Sequence, residues 1–277
     1  MTIKSIFKIS AGISFIFLSL LMVTGWGLGG GYIPSDSEAF SSILYLRNMG
    51  GVGQMIRSLH FYLSSSLIIS GFIFLISFYI LGYVSRFTKQ WYFSLIIYFL
   101  IVGSCFTGYL LPMDQNAFWG TLVRLGIVET IPFFGTFIAN ILRGGLTIGS
   151  ETLSRFFTIH SSIIPIFLSV ISLVLIQSQW ENIKLIVSRA SILYGTILGV
   201  ILLYYWAFSF SAPLELPANP IDVEYIPRPE WYFLWLFEFG KYVEWAPWIR
   251  SALLPLLGTL FLFGLPFIKQ QSSKQRY

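Results

Sequence analysis

The chain is poor in charge. Only 10% of its 277 residues are Asp, Glu, Lys or Arg, while 56% are apolar and 18% aromatic. That balance excludes an ordinary soluble domain, and it excludes disorder. Cysteine is nearly absent. The single Cys105 rules out a disulfide within the chain, and no Cys-x-x-Cys-His run exists for covalent haem attachment. Cys105 itself lies in an apolar run and reads as a small packing residue. Histidine is scarce too, with only His60 and His160.

Long apolar runs are what the chain does have. A membrane span needs about 20 mostly apolar residues, and six stretches qualify: 7–28, 59–84, 91–111, 157–177, 190–210 and 251–268. The first lacks a small-x-small cleavage site and is long for a signal peptide, so it reads as a span. The fold class expected is all-α, a polytopic membrane bundle of about six transmembrane helices. A four-helix core and amphipathic outer-surface helices complete it.

Six spans put both termini on one side. That side carries Lys4, Lys8, Arg86, Lys89, Lys184, Arg189, Lys269, Lys274 and Arg276 against the single acid Glu181. The opposite side carries the other eight bases and eleven acids. Positive loops stay cytoplasmic, so the expectation is a multi-pass inner (cytoplasmic) membrane protein with both termini inside. The net charge of +5 is then a matter of topology and not of nucleic-acid binding.

Each histidine opens an apolar run. Ile56-Arg57-Ser58-Leu59-His60 leads into one, and Arg155-Phe156-Phe157-Thr158-Ile159-His160 into another. Alone, either histidine reads as an interfacial polar residue and Arg57 as an interfacial anchor. Together, two intramembrane histidines at matched depth read as the two axial ligands of one haem, near the outer face. Arg57 lies three residues before His60 on the same helix face, where a cation suits a haem propionate.

The remaining signals lie at the outer ends of the spans. Thr24-Gly25-Trp26-Gly27-Leu28-Gly29-Gly30-Gly31 is either a glycine-rich helix end or a place of close approach. Ala39 to Leu46 reads as a short surface helix. Pro112 and the polar cluster after it stop the third span. The long loop to about residue 155 reads as two amphipathic pieces around Pro132 and Gly135. Four prolines between residues 213 and 227 make a stiff arm. Pro229 suits the first turn of a helix reaching about Gly240. Glu230 stands among Trp231, Tyr232 and Phe233. A carboxylate in an apolar interfacial setting gains proton affinity and suits a proton acceptor; the plainer reading is an acid favoured by a helix N-terminus.

Taken in order, these segments resemble the cytochrome b subunit family of quinol–cytochrome c oxidoreductases. Pro229-Glu230-Trp231-Tyr232 matches that family's outer quinol-site motif. Thr24-Gly25, Ala39-Phe40-Ser41-Ser42, Gly108-Tyr109-Leu110-Leu111-Pro112, Phe118-Trp119-Gly120, Gly144-Gly145, Thr152-Leu153-x-Arg155-Phe156-Phe157 and Pro217-Ala218-Asn219-Pro220 support it. The resemblance implies a haem-binding N-terminal region over 1–181. Residues 182–277 would form a shortened C-terminal region with the quinol-site loop and two spans. His60 and His160 would ligate the iron of one outer haem b, Gly25 and Gly108 would give it room, and Arg57 would meet its propionates. Glu230 would take a proton from quinol, with Tyr109, Pro229, Trp231 and Tyr232 around the ring. Partners implied are the lipid membrane, quinol, a Rieske-type iron–sulfur subunit or a cytochrome c-type subunit, and a second copy in a homodimer.

The departures cluster at one end. The family carries a second histidine about four turns deeper on each histidine-bearing helix, to hold an inner haem. Here those positions are Phe74 and Val174, and the glycines expected beside that haem are Ala11 and Ser94. With one outer haem, a relay across a core of about 30 Å stops midway. The first expectation is therefore a haem-bearing quinol-oxidising subunit unable to run a full quinone cycle alone. A second is a structural membrane anchor whose quinol site no longer works. A third is a chain without haem whose histidines line a proton or ion path.

Overall fold

The structure, a computed structural model, describes residues 2–49, 51–186 and 189–274. It is all helical, with no strand among the described residues. In chain order the helices are α1 (Ile3–Gly29), α2 (Ala39–Asn48), α3 (Val52–Ile80), α4 (Tyr83–Arg86), α5 (Thr88–Gly108), α6 (Gln115–Glu129) and α7 (Gly135–Arg143). Then come α8 (Ser150–Thr158), α9 (Ile164–Ile186), α10 (Arg189–Ser209), α11 (Leu234–Tyr242) and α12 (Leu254–Lys274). Among the described residues, five helical stretches are long and apolar enough to cross a membrane: Ile3–Gly29, Val52–Ile80, Thr88–Gly108, Ser150–Gln177 and Ile249–Ile268. The chain is a multi-pass membrane protein. Helix α10 coincides with the remaining expected span.

Several boundaries differ from the expected ones, each for a local reason. Helix α3 begins at Val52, seven residues ahead of the expected 59, because Gly51 turns the chain there with φ 79°. It stops at Ile80, before Gly82, whose φ of 71° is left-handed. Arg57 and His60 therefore lie in the second and third turns and not at the opening. The expected helix from Pro229 starts later. Glu230 is extended, a 3-10 turn covers Trp231–Phe233, and α11 follows.

Two π-turns interrupt the spans, at Ile159–Ile163 and at Ile249–Leu253. Each ends two residues before a proline, Pro165 and Pro255. A proline ring clashes with the carbonyl four residues earlier, here those of Ser161 and Ser251, and it offers no N–H to that carbonyl. A widened turn relieves both problems. The first π-turn contains His160.

Helices α1, α3, α5 and α8–α9 form the bundle, and α10 lies against α1. Polar and small residues hold these helices together, as expected where lipid supplies no hydrophobic drive. Ser14 Oγ donates to Ser70 Oγ (2.9 Å) between α1 and α3. Gly195 on α10 meets the backbone of Gly12 on α1 so closely that a Cβ would lie 2.9 Å from its carbonyl carbon. Gly195→Val is expected to cost about 1–3 kcal/mol by overpacking, measured as a lowered midpoint of thermal unfolding in detergent.

The two ends of the bundle are filled differently. Near the histidines, Gly25 and Gly108 lie against the imidazoles, with Leu59, Leu63 and Ile164 buried around them. At the opposite end, Phe7, Phe78 and Trp91 are 2%, 0% and 1% exposed and form a core with Leu75, Val84, Phe87, Leu95 and Leu265. Phe74 stacks on Phe7 (centroids 5.1 Å, 15°) and meets Phe78 edge-on. Tyr83 packs edge-on against Phe7, Phe78 and Phe87. Trp91 Nε1 donates to the Leu262 carbonyl (2.9 Å), which ties α5 to α12.

Candidate functional site

Helix α3 supplies His60, and the π-turn ahead of α9 supplies His160. Their ring centroids are 5.9 Å apart and the ring planes stand at 78°. His160 Nδ1 lies 2.9 Å from the carbonyl oxygen of Ser104, which only accepts, so the proton is on Nδ1. His60 Nδ1 lies 3.0 Å from Thr24 Oγ1, whose own hydroxyl donates to the carbonyl of Leu20 (2.8 Å). Thr24 Oγ1 therefore accepts, and His60 Nδ1 also carries the proton. In both imidazoles the basic lone pair is left on Nε2. Such outer hydrogen bonds fix the tautomer and orientation of metal-binding histidines.

The surroundings fit a haem. Metal–imidazole bonds are about 2 Å long, so two imidazoles facing one metal from opposite sides have ring centres about 6 Å apart. The observed 5.9 Å matches. Glycines back both rings. A Cβ on Gly25 would approach His60 Cε1 to 3.1 Å, and one on Gly108 would approach His160 Cε1 to 2.5 Å. No cluster of three or more ionisable side chains offers a metal another site among the described residues.

Arg57 is 8% exposed. Its guanidinium donates to the carbonyls of Ala212 (2.7 Å) and Pro213 (2.5 Å), and Ser58 Oγ accepts from Ala212 N–H (3.0 Å). Arg57 thus pins the proline-rich arm to α3. That role was not visible in the sequence, where only its spacing from His60 could be read.

The arm is then clamped along the start of α6. Asp114 caps α6 by accepting from Ala117 N–H (2.9 Å), and it also accepts from Glu215 N–H (3.1 Å). Gln115 N–H donates to Leu216 O, and Gln115 Oε1 accepts from Asn219 N–H. Asn116 Oδ1 accepts from Arg228 N–H (2.8 Å), and the Tyr109 hydroxyl reaches the carbonyls of Asn116 and Arg228. These bonds fix the residue immediately before Pro229-Glu230-Trp231-Tyr232.

That tetrapeptide sits beside the histidine pair. Ser104 holds His160 while Cys105, next to it, packs with Tyr232 against the same cluster. Gly108 backs His160 while Tyr109, next to it, reaches Arg228. Trp231 Nε1 lies 3.4 Å from Ser65 Oγ on α3. Burial pushes the Glu230 carboxyl above the usual carboxylate range, and the nearby Arg124 guanidinium pulls in the opposite direction. Burial also raises the Tyr232 hydroxyl. Pro229 is half-buried at the end of the arm.

Arg124 is the site residue that the sequence did not single out. It lies on α6, is 5% exposed, and its guanidinium carbon is 3.5 Å from the centre of the Tyr109 ring. Its only sequence signal is a base inside an otherwise apolar amphipathic piece.

A polytopic helical membrane bundle built round a histidine pair that fits a haem is the architecture of a membrane cytochrome. The family model described as cytochrome b/b6/petB matches residues 1–179, and the chain belongs to that family, whose members bind haem b. It is 28% identical over 287 residues to the cytochrome bc complex cytochrome b subunit of Chlorobaculum thiosulfatiphilum, covering 96% of this chain and 67% of that one. It is 32% identical over 163 residues to cytochrome b6 of Euglena gracilis, covering 58% of this chain and 76% of that one. A solved chain described as hyperthermophilic respiratory Complex III shares the fold, with a TM-score of 0.80 at 21% identity. That match covers 96% of this chain and 76% of the other.

Proposed function

We propose that this chain is the haem b subunit of a quinol-oxidising electron-transfer complex, with one haem between His60 and His160 and a quinol site at Pro229-Glu230-Trp231-Tyr232. One observation carries this reading. The last turn of α5 touches both places, with Ser104 and Gly108 on His160 and with Cys105 and Tyr109 on the tetrapeptide side. A quinol held there lies beside the histidine pair.

Oxidising a quinol to a quinone releases two protons and two electrons. Glu230, held at raised proton affinity by burial, accepts one proton at its carboxylate. Tyr109, Pro229, Trp231 and Tyr232 surround the ring and exclude water. Gly25 and Gly108 give the His60 and His160 rings room beside the haem, and Arg57 would meet its propionates. When bound, haem b supplies a one-electron acceptor. The other electron and the second proton leave to an outer-side redox partner, an iron–sulfur or c-type subunit of the kind implied by relatives named for bc complexes.

The packing of Phe74, Phe7, Phe78 and Trp91 supports a single haem, because aromatic rings occupy the inner end. The chain then lacks a complete relay across the membrane, and both electrons leave on the outer side or through another subunit. The distribution of charge supports termini on the cytoplasmic side.

Glu230→Gln tests the site. Turnover with quinol is expected to fall by about 10²-fold, with the haem spectrum unchanged. Unaltered turnover would remove Glu230 from the reaction.

A further inference from the structure

Arg124 is a buried cation without a hydrogen-bond acceptor. Its Nε and both terminal nitrogens are shielded from solvent and unpaired among the described residues. Around it stand the Tyr109 ring at 3.5 Å, Phe233 at 5.8 Å and Phe106 at 6.0 Å from the guanidinium carbon, with Tyr232 and the Glu230 carboxyl also close by. The helix is shaped for this. Gly120, one turn earlier on α6, leaves room for the Tyr109 ring, where a Cβ would come within 2.9 Å of Tyr109 Cε1. Tyr109 therefore lies against the face that Gly120 and Arg124 share.

Cation–π contacts offset part of the cost of burying a guanidinium. They leave its in-plane N–H donors unsatisfied, and an unpaired buried donor is expensive. A side chain this costly and this uniformly unpaired is explained by a ligand. The ligand must be an acceptor, because a guanidinium has no lone pair to offer. It must also be flat and largely apolar apart from that acceptor, because the rings of Tyr109, Phe106 and Phe233 stand round the guanidinium and Glu230 and Tyr232 are the polar groups beside it.

We propose that Arg124 binds a ring oxygen of the quinone, donating N–H to its carbonyl or to the deprotonated hydroxyl of the reduced form. This rests on the outer quinol site proposed above and adds a second polar contact to it. Glu230 accepts from a hydroxyl, while Arg124 donates to an oxygen lone pair. The site thus offers one group for each redox form. Quinone carbonyls gain most, so the contact favours the oxidised ring and the ionised hydroxyl over the neutral quinol.

The experiment uses the purified, haem-loaded protein with Arg124→Met, Arg124→Lys and Glu230→Gln beside the wild type. The probes are a short-chain benzoquinone and a short-chain naphthoquinone, titrated in detergent by calorimetry. Arg124→Met is expected to weaken binding about tenfold or more, the span of one hydrogen bond to a charged group. Arg124→Lys is expected to keep part of the affinity. The thermal midpoint of Arg124→Met should hold or rise, because an unpaired buried charge is gone.

Affinity within twofold of wild type in Arg124→Met overturns the proposal. So does a lowered midpoint with affinity lost equally in Arg124→Lys, which marks a packing role. If neither quinone binds the wild type, the outer site itself fails and Arg124 with it. If the wild type binds and Glu230→Gln loses turnover while Arg124→Met binds normally, the site stands and only the role of Arg124 falls.

Discussion

His160→Ala is expected to yield a folded protein with no haem b. The substitution removes one of two imidazoles whose ring centroids lie 5.9 Å apart, and the chain has no third histidine to replace it. Alanine is the best helix former, so the span itself tolerates the change. Haem per polypeptide, read by pyridine haemochrome, should fall from one to zero, and His60→Ala should do the same. The outer hydrogen bonds predict a graded companion series. Thr24→Val removes the acceptor that fixes His60 and should weaken haem retention. Ser104→Ala should be mild, because His160 is held by the Ser104 carbonyl as well as its hydroxyl. Full haem retention in His160→Ala would end the bis-histidine assignment and leave the bundle as an anchor or an ion path.

The acid limb of quinol oxidation should reflect Glu230. Burial raises its proton affinity and Arg124 opposes that rise. Tyr109 and Tyr232 also face it, as does Cys105 from α5. The acceptor form is the carboxylate, so turnover should grow as pH rises through a value above the usual carboxylate range. Removing the Arg124 cation moves that limb to still higher pH.

Much of this was legible because membrane spans announce themselves. Low charge and long apolar runs place the helices. The histidine pair was legible because two residues of a scarce type open two spans in the same way. What the sequence hid were contacts made by distant segments. Arg57 spends its charge on carbonyls of residues 212 and 213, more than 150 residues away, and no spacing rule announces that. Arg124 was hidden for the same reason. A lone base in an amphipathic piece looks like an interfacial anchor until Tyr109, fifteen residues earlier, is seen packed under it. The π-turn at His160 was foreshadowed by Pro165, yet proline marks a disturbance without saying which way it is relieved.

The inner end of the bundle carries the last prediction. Wild-type protein is expected to hold one haem b per polypeptide, and the double variant Phe74→His, Val174→His is expected still to hold one. The reason is space. Phe74 stacks on Phe7 and meets Phe78, and Phe78 lies against Trp91 at 5.5 Å, so rings fill the slot a second haem needs. Val174 is 43% exposed. Placing two imidazoles at these positions restores donors without restoring a cavity, and Ala11 and Ser94 keep side chains where the family has glycines. The same packing predicts that Phe74→Ala costs about 2–4 kcal/mol, from lost ring contacts and the cavity left behind, seen as a lower thermal midpoint with the outer haem spectrum unchanged. Two haems per wild-type chain would overturn the single-haem reading. A stable Phe74→Ala that gained a second haem when paired with new histidines would show that the aromatic cluster, and not the missing ligands, had been the barrier.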